Sequence, residues 1–447
     1  MDILSLIPTF GNFAFTIVAF VVALSVIVAI HEYGHYIVGR WSGIHAEVFS
    51  LGFGPVIWSR HDKHGTKWQV AAFPLGGYVK FLGDSSAASG KDGEMISTLS
   101  ESELRRTMHG APLWARFATV LAGPVFNFIL AILVFTGLAL WSGVASYPPT
   151  IATIYQLPDN DYGLQEGDKL LAIEGTAFPK YEADSYQEFV DSLPVKPKLH
   201  YTVERDGQEV LVTGPPLSPP RVDYVSPGWA AEAAGIQVGD VILSVGAQEV
   251  FNFNQLIPLI NETQGKPTPI KIWRDGEISE ITVVPQKRDL PKADNSFDTR
   301  YIMGVSGGYF FEPAAQSPGL GEAITIGGQR TWGIITQSLS GLYHMATGAI
   351  SSCNMSGPIG IAKVSGQMAS QGTVSFIFFI ALLSAAVGLL NLFPVPMLDG
   401  GHLVFFAWEA VAGKAPSDKA LRIMMGTGLI LIMSLMIFAV TNDLFCP

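Results

Sequence analysis

The sequence predicts a polytopic α-helical membrane protein with four spans, a small membrane-associated β-sheet and two extracytoplasmic α+β modules of one repeated kind. Three observations predict it. Charged residues make up only 15% of the 447 residues while 49% are hydrophobic, and the uncharged residues gather into runs near the ~20 apolar residues that a bilayer crossing takes. Between the first two runs, short segments rich in Val, Phe, Trp and Tyr are broken by Gly and Pro, which is strand-and-turn chemistry. Further on, a glycine-rich motif occurs twice, at Gly163 and at Gly235.

The first apolar run extends without charge from Ile3 to Ile30, its densest part being Phe13–Ile30. It lacks the basic start of a cleaved signal peptide and reads as a retained anchor. The second run is Phe117–Leu140. The third lies between Lys363 and Asp399, dense over Val374–Leu392, and the fourth is Ile423–Val440. Lysine and arginine set the orientation. Arg40, Arg60, Lys63, Lys67, Lys80, Lys91, Arg105, Arg106 and Arg116 lie between the first two runs, and Lys414, Lys419 and Arg422 precede the last. Both loops are therefore expected inside, with the two ends of the chain and the segment from about 146 to 370 outside. A fifth span over Thr331–Ala362 is the rival reading. Its Ser, Thr, Gln and Gly, with His344 and Asn354, favour instead an amphipathic helix on the outer surface or against protein.

Within Ala46–Phe81, the segments EVFSLGFG, PVIWSR, KWQVAAF and GGYVKF surround the turn HDKHGT and read as antiparallel hairpins. Two uses fit them: a cytoplasmic cap, or a membrane-dipping sheet whose free edge accepts another strand. Residues 84–103 are small and polar and read as a loop. The repeat pairs GLQEGDKLLAIEG with GIQVGDVILSVGA; each copy is followed by a helical stretch and a charged strand turn, YTVERDGQEVLV or IKIWRDGEISEITVV. Two copies of one small module explain this pattern. The motif resembles the PDZ domain, whose groove takes a peptide as an added strand; a structural spacer is the plainer alternative. The expected order is a first span (1–40), a cytoplasmic-side loop with hairpins (41–112), a second span (113–145), PDZ-like modules at 146–217 and 218–290, a linker with amphipathic outer helices (291–362), a third span (363–408), a short cytoplasmic loop (409–420), and a fourth span with tail (421–447).

A net charge of −11 provides no global basic field to hold nucleic acid. Two cysteines, Cys353 and Cys446, make neither a disulfide framework nor a thiolate zinc site. One disulfide between them and two unpaired thiols both fit.

The first run ends in HEYGH, His31 to His35. Histidines at i and i+4 share a helix face and can bind one ion, with Glu32 beside it to take a proton from water. Ionisable residues at the boundary of a span are costly unless paired or functional. A third ligand is needed. In NLFPVPMLDGGH, Asn391–His402, Pro394 and Pro396 break the helix and Asp399 follows between small residues. A carboxylate at membrane depth needs a cation. With four spans Asp399 reaches the same side as His31; a fifth would put it about 30 Å away.

HEYGH, LGFGP, AGPVFN (Ala122–Asn127) and LDG together resemble the site-2 protease family of intramembrane zinc proteases, and the tandem PDZ-like modules resemble its sigma-E-regulating bacterial branch. The resemblance covers nearly the whole chain. It implies that His31, His35 and Asp399 hold Zn2+, that Glu32 is the catalytic base, and that Asn391 contacts the substrate backbone, where a cap on the broken helix is the plainer role. Gly52, Phe53 and Gly54 are the strand-edge residues expected to meet an unwound substrate, and Asn127 orients neighbouring helices or the site. The implied activity is hydrolysis of transmembrane segments of single-span proteins in the bilayer during an envelope stress response. The implied substrates are an anti-sigma factor after a first cleavage and remnant signal peptides, with peptide or protein ligands for the modules. The implied location is a bacterial inner membrane, termini and modules periplasmic, active site near the cytoplasmic side. Two other readings are an inactive PDZ membrane adaptor, which predicts a missing ligand or base, and a metal transporter, which lacks an inverted second half.

Overall fold

In a computed structural model of the chain, the residues described are 6–84, 93–159, 161–180, 183–226, 228–292 and 296–446. Helices α1 (Leu6–Trp41), α2 (Gly93–Thr98), α3 (Glu101–Leu104) and α4 (Leu113–Ser142) precede the repeats. Helices α5 (Ala183–Ser192), α6 (Ala230–Ala233) and α7 (Leu256–Glu262) lie within them. Helices α8 (Leu320–Ala346), α9 (Pro358–Ser370), α10 (Thr373–Asn391), α11 (Asp399–Ala412) and α12 (Asp418–Phe445) follow. The chain forms two compact units: Met1–Ala139 with Gly319–Ala346 and Met355–Cys446, and Leu140–Pro318 with Thr347–Asn354.

In the first unit, four helices among the described residues are long and apolar enough to cross a membrane: Phe13–Trp41, Leu113–Ser142, Thr373–Asn391 and Lys419–Phe445. Lipid offers apolar side chains no reason to leave it, so close contact between such helices relies on small residues. At Gly34 a Cβ would lie 2.6 Å from the Ala122 carbonyl, which brings α1 against α4. At Gly388 it would lie 3.0 Å from the Pro124 carbonyl, which brings α10 against α4. Ala131, Phe135, Ala381 and Ala385 pack between α4 and α10. Helix α8 adds a face of Ala323, Gly327 and Thr331, with a Gly327 Cβ position 2.6 Å from the Ile132 carbonyl.

The helix expected over 331–362 thus begins earlier, at Leu320, and ends at Ala346. It packs on its small residues and on Ile334, while Leu339 and Tyr343 are exposed. At the other end of this unit, the Asp443 carboxylate of α12 accepts the N–H groups of Gly357, Ile359 and Gly360, capping α9. Cys353 and Cys446 are disulfide-bonded.

Strands β1 (Ala46–His61) and β2 (Lys67–Phe81) are antiparallel and both bend sharply. Phe49, Ser50 and Leu51 pair on one side with Val79, Tyr78 and Gly77 and on the other with Trp68, Gln69 and Val70. The two long strands therefore act as four short ones, with edges at 77–81 and 56–61. Asp62 fastens the turn between them: it accepts from the His64 and Thr66 N–H groups, Trp68 Nε1, and the Tyr36 hydroxyl of α1. In the stretch expected as a loop, α2 and α3 form, and Ser100 with Glu103 makes a capping box; residues 85–92 lie outside the described ones.

The second unit contains two four-stranded antiparallel sheets of matching order. Thr176–Ala177, Lys169–Ile173, Leu199–Arg205 and Gln208–Gly214 form one; Gln248–Glu249, Val241–Val245, Thr268–Arg274 and Glu277–Val283 form the other. The aspartate of each GD motif does the same work. Asp168 is buried and receives Arg205 Nε and Nη2, both at 2.7 Å. Asp240 receives Arg274 Nε at 2.6 Å and Nη2 at 2.7 Å. Each arginine also donates to the first glycine of its motif, Gly163 or Gly235. The repeat is thus one turn held by one buried ion pair, made twice.

The stretch from 291, expected as linker, is mostly strand. Gln286–Pro291 pairs with Phe297–Ile302, and Val305–Ser306 returns to Tyr224–Val225 in the second module. Phe311–Pro313 then pairs with Ile151–Ile154, and Phe310 and Phe311 complete the first module's core. The second module is inserted within the first. Such pairing across ~160 residues leaves no local periodicity to read.

Candidate metal centre

His31 and His35 stand one helical turn apart on α1, and Asp399 opens α11 after the proline-broken stretch 392–398. Two features aim the aspartate. Met397 has φ of +92°, a conformation rare for a side-chain-bearing residue, which turns the backbone immediately before it. A Cβ on Gly401 would lie 2.5 Å from the Val395 carbonyl, so only glycine lets α11 start this tightly.

The three donors converge. His31 Nε2 lies 3.1 Å from Asp399 Oδ2, His35 Nε2 lies 3.5 Å from Asp399 Oδ1, and the two Nε2 atoms are 3.2 Å apart. Tetrahedral zinc with nitrogen and oxygen ligands near 2.1 Å separates its donors by about 3.4 Å. The spacings are therefore close to those of a zinc site, with one ligand atom from each residue within 4.8 Å of the others. Its chemistry fits as well. His35 Nδ1 lies 2.8 Å from the Thr119 carbonyl, which can only accept, so its proton is on Nδ1 and its Nε2 carries a lone pair. Asp399 Oδ2 is buried with the His31 imidazole nitrogen beside it, a carboxylate charge that a cation held by both would relieve. A Cβ at Gly123 would overlap the His35 ring and come within 2.8 Å of His31 Cε1. Glycine at this point of α4 leaves the space that the imidazole pair fills.

Glu32 lies beside this group, on the side of the β-sheet. A Cβ on Gly77 would come within 3.2 Å of Glu32 Cγ. The sheet edge 77–81 thus passes directly along the glutamate.

With this geometry in hand, comparison with known proteins assigns the family: peptidase family M50 matches residues 19–435. The chain belongs to that family, the site-2 proteases. It is 33% identical over 437 residues to a candidate zinc metalloprotease of Rhizobium meliloti, covering 97% of each chain. It is 32% identical over 463 residues to one of Vibrio cholerae, covering 95% of this chain and 97% of that one. It is 31% identical over 456 residues to the regulator of sigma-E protease RseP of Salmonella typhimurium, again over 95% and 97%. The chain is accordingly a zinc metalloprotease and a membrane protein.

The other sequence-derived candidates lie at two places in this M50 protein. Asn391 is the last residue of α10, half-buried, at the start of the broken stretch that ends in Asp399. Gly52 and Gly54, with φ of +88° and +86°, form the bend of β1. Phe53 between them is 43% exposed and stacks on Tyr78, with ring centroids 5.9 Å apart. The strand edge beside Glu32 is therefore 77–81 of β2, and the Gly52–Gly54 bend reaches it through the Phe53–Tyr78 stack. Within β1, Phe49, Ser50 and Leu51 are paired on both sides, whereas Phe53 pairs with Phe73 alone among the described residues, so the 52–54 bend stays a candidate for meeting substrate beside the 77–81 edge. Thr119 and Gly123 escaped the sequence reading too; the glycine in AGPVFN was the available signal.

Proposed function

We propose that this M50 protease hydrolyses peptide bonds within or beside the bilayer, in transmembrane segments of single-span proteins, with His31, His35 and Asp399 holding the zinc and Glu32 as the base. The convergence of three donors at zinc-like spacing beside Glu32 carries the reading. Bound there, zinc would polarise the scissile carbonyl and acidify water. Glu32 accepts the proton of the attacking water and delivers it to the leaving amine. The buried surroundings of His35 and Asp399 limit bulk water at the reacting bond.

A membrane helix must be unwound before its backbone can be cut. The 77–81 edge supplies replacement hydrogen bonds to the extended substrate, and its position along Glu32 favours this strand. Gly52, Phe53 and Gly54 seat that edge through the Phe53–Tyr78 stack. Asn391 donates its amide to the substrate backbone from the other flank of the site.

The repeated modules act as PDZ-like binding or filtering units outside the membrane. A cavity of about 270 Å³ between Leu256, Ile257 and Ile260 of α7 and the segment 301–306 suits an added peptide strand. The substrates are an anti-sigma factor shortened by an earlier cleavage, in an envelope stress response, and remnant signal peptides. The membrane is a bacterial inner membrane with the termini and modules periplasmic and the active site near the cytoplasmic side. A disulfide-bonded Cys353 and Cys446 suits an oxidising compartment at both positions.

The test is cleavage of a single-span model substrate by detergent-solubilised protein. Wild type should cut it and stop when a chelator is added. Glu32→Gln should retain its zinc yet lose at least about 100-fold in rate. Normal cleavage by that variant removes the base assignment, and an inert wild type returns the adaptor reading.

A further inference from the structure

Resting on the assignment of His31 as a ligand, we infer that Asn127 is the positioning residue that fixes the His31 ring for the metal, by accepting a hydrogen bond from Nδ1–H so that Nε2 presents its lone pair. A histidine binds metal through a nitrogen without a proton, so its other nitrogen must carry one and needs an acceptor. The two histidines meet this need differently. His35 has the Thr119 carbonyl, which admits one tautomer only. His31 Nδ1 faces the side-chain amide of Asn127, whose nitrogen lies 3.2 Å away. An amide can serve either tautomer.

The surroundings make this amide more than a helix-packing group. Asn127 is fully buried, and its Oδ1 has no hydrogen-bond partner. A half-turn about Cβ–Cγ exchanges the two amide atoms, so the oxygen meets the proton on Nδ1. With the metal absent, the amide N–H donates to the Nδ1 lone pair; with it bound, the pairing reverses. The main chain of Asn127 is held while this happens. The Ser384 hydroxyl of α10 donates to its carbonyl at 2.9 Å, and a Cβ at Gly388 would lie only 3.1 Å from the Asn127 Cβ, so glycine there keeps the two helices close. Helix α10 continues into the stretch that delivers Asp399, so the same contact ties His31's partner to the third ligand.

Packing and positioning predict opposite orders for two substitutions. Asn127→Asp retains an acceptor but puts a second carboxylate in a buried place. Asn127→Leu keeps the volume and the apolar character and removes the acceptor. Metal-free protein is titrated with zinc against a chelating competitor, and its thermal unfolding is followed separately. Asn127→Leu should bind zinc about 10- to 100-fold more weakly, while Asn127→Asp stays near wild type. Wild-type affinity in Asn127→Leu, or equal loss in both variants, overturns the inference. A readout on the unaltered chain guards against misfolded variants: in zinc-loaded wild type, ¹⁵N spectra of labelled histidine should show His31 Nδ1 protonated and protected from exchange, as for His35. An unprotonated or freely exchanging Nδ1 overturns it as well. His31→Ala serves as the reference. Unchanged zinc in that variant defeats the ligand assignment itself, whereas lost zinc there with normal Asn127→Leu affinity defeats only the role of Asn127.

Discussion

Asp168 and Asp240 in the repeated modules and Asp399 in the helical unit are all carboxylates withdrawn from water, yet their surroundings differ in kind. Asp168 receives two arginine nitrogens and the Gln165 N–H, and Asp240 receives two arginine nitrogens and the Gln237 N–H. Asp399 is met by imidazole nitrogens at both oxygens, His31 at Oδ2 and His35 at Oδ1. The first two carboxylates are each closed by a guanidinium; the third is grouped with two imidazoles in an arrangement that could hold a metal ion. Burial alone therefore does not mark a functional acid. What marks a candidate is a carboxylate withdrawn from water beside metal-ligating imidazoles instead of a guanidinium.

Asp62 sharpens the contrast, because it belongs to the same helical unit as Asp399. Four donors close on it: two backbone N–H groups, an indole and a phenol. Burial raises its pKa, but the hydrogen bonds from Trp68, His64, Tyr36 and Thr66 outweigh that and hold it down to about 2.

The comparison can be broken at each carboxylate, beginning where the effect is greatest. His31→Ala, His35→Ala and Asp399→Ala should each take the zinc content from one per chain to near zero by elemental analysis, while Asp168→Asn and Asp240→Asn keep it whole. Equal zinc in both sets would erase the distinction. Next, Asp168→Asn or Asp240→Asn leaves a guanidinium without its partner and should lower the unfolding temperature of the modules by about 5 °C, read by calorimetry, without moving zinc affinity. The smallest effect belongs to Asp62→Asn, about 1–2 °C at neutral pH. Its sign with pH is set by a folded pKa below the ordinary carboxylate value. The stabilisation is complete above about pH 4 and disappears as the pH falls through about 2. Wild type and variant should thus converge in thermal stability in strong acid; a constant difference across that range would show that the four donors do not favour the ionised form.

Local pattern was enough for much of the molecule. Each of the four apolar runs contains or overlaps a helix long enough to span, because an uncharged run of this length has few alternatives in lipid. The HEYGH spacing already placed two imidazoles on one helix face. Pro394 and Pro396 already demanded a break before Asp399, and the chain does leave the helix over 392–398. The 72-residue repeat was legible because each copy needs the same turn and the same aspartate to bind its arginine.

Tertiary structure alone decided the rest, wherever a partner is distant in sequence or the informative residue is small. That 77–81 is the edge beside Glu32, that residues 311–316 close the first module, and that Ala323, Gly327 and Thr331 are the contact face of α8 depend on pairings across tens to hundreds of positions. Gly123 and Asn127 belong to the metal centre because α4 packs against α1, a contact no composition or period encodes. The sequence by itself determined which ionisable groups are candidates for the chemistry and how many apolar runs are long enough to span. The fold decided which backbone edge they face, which carbonyl or amide lies against each ring, and that two imidazoles and a carboxylate meet, since these follow from close packing between segments rather than from order along the chain.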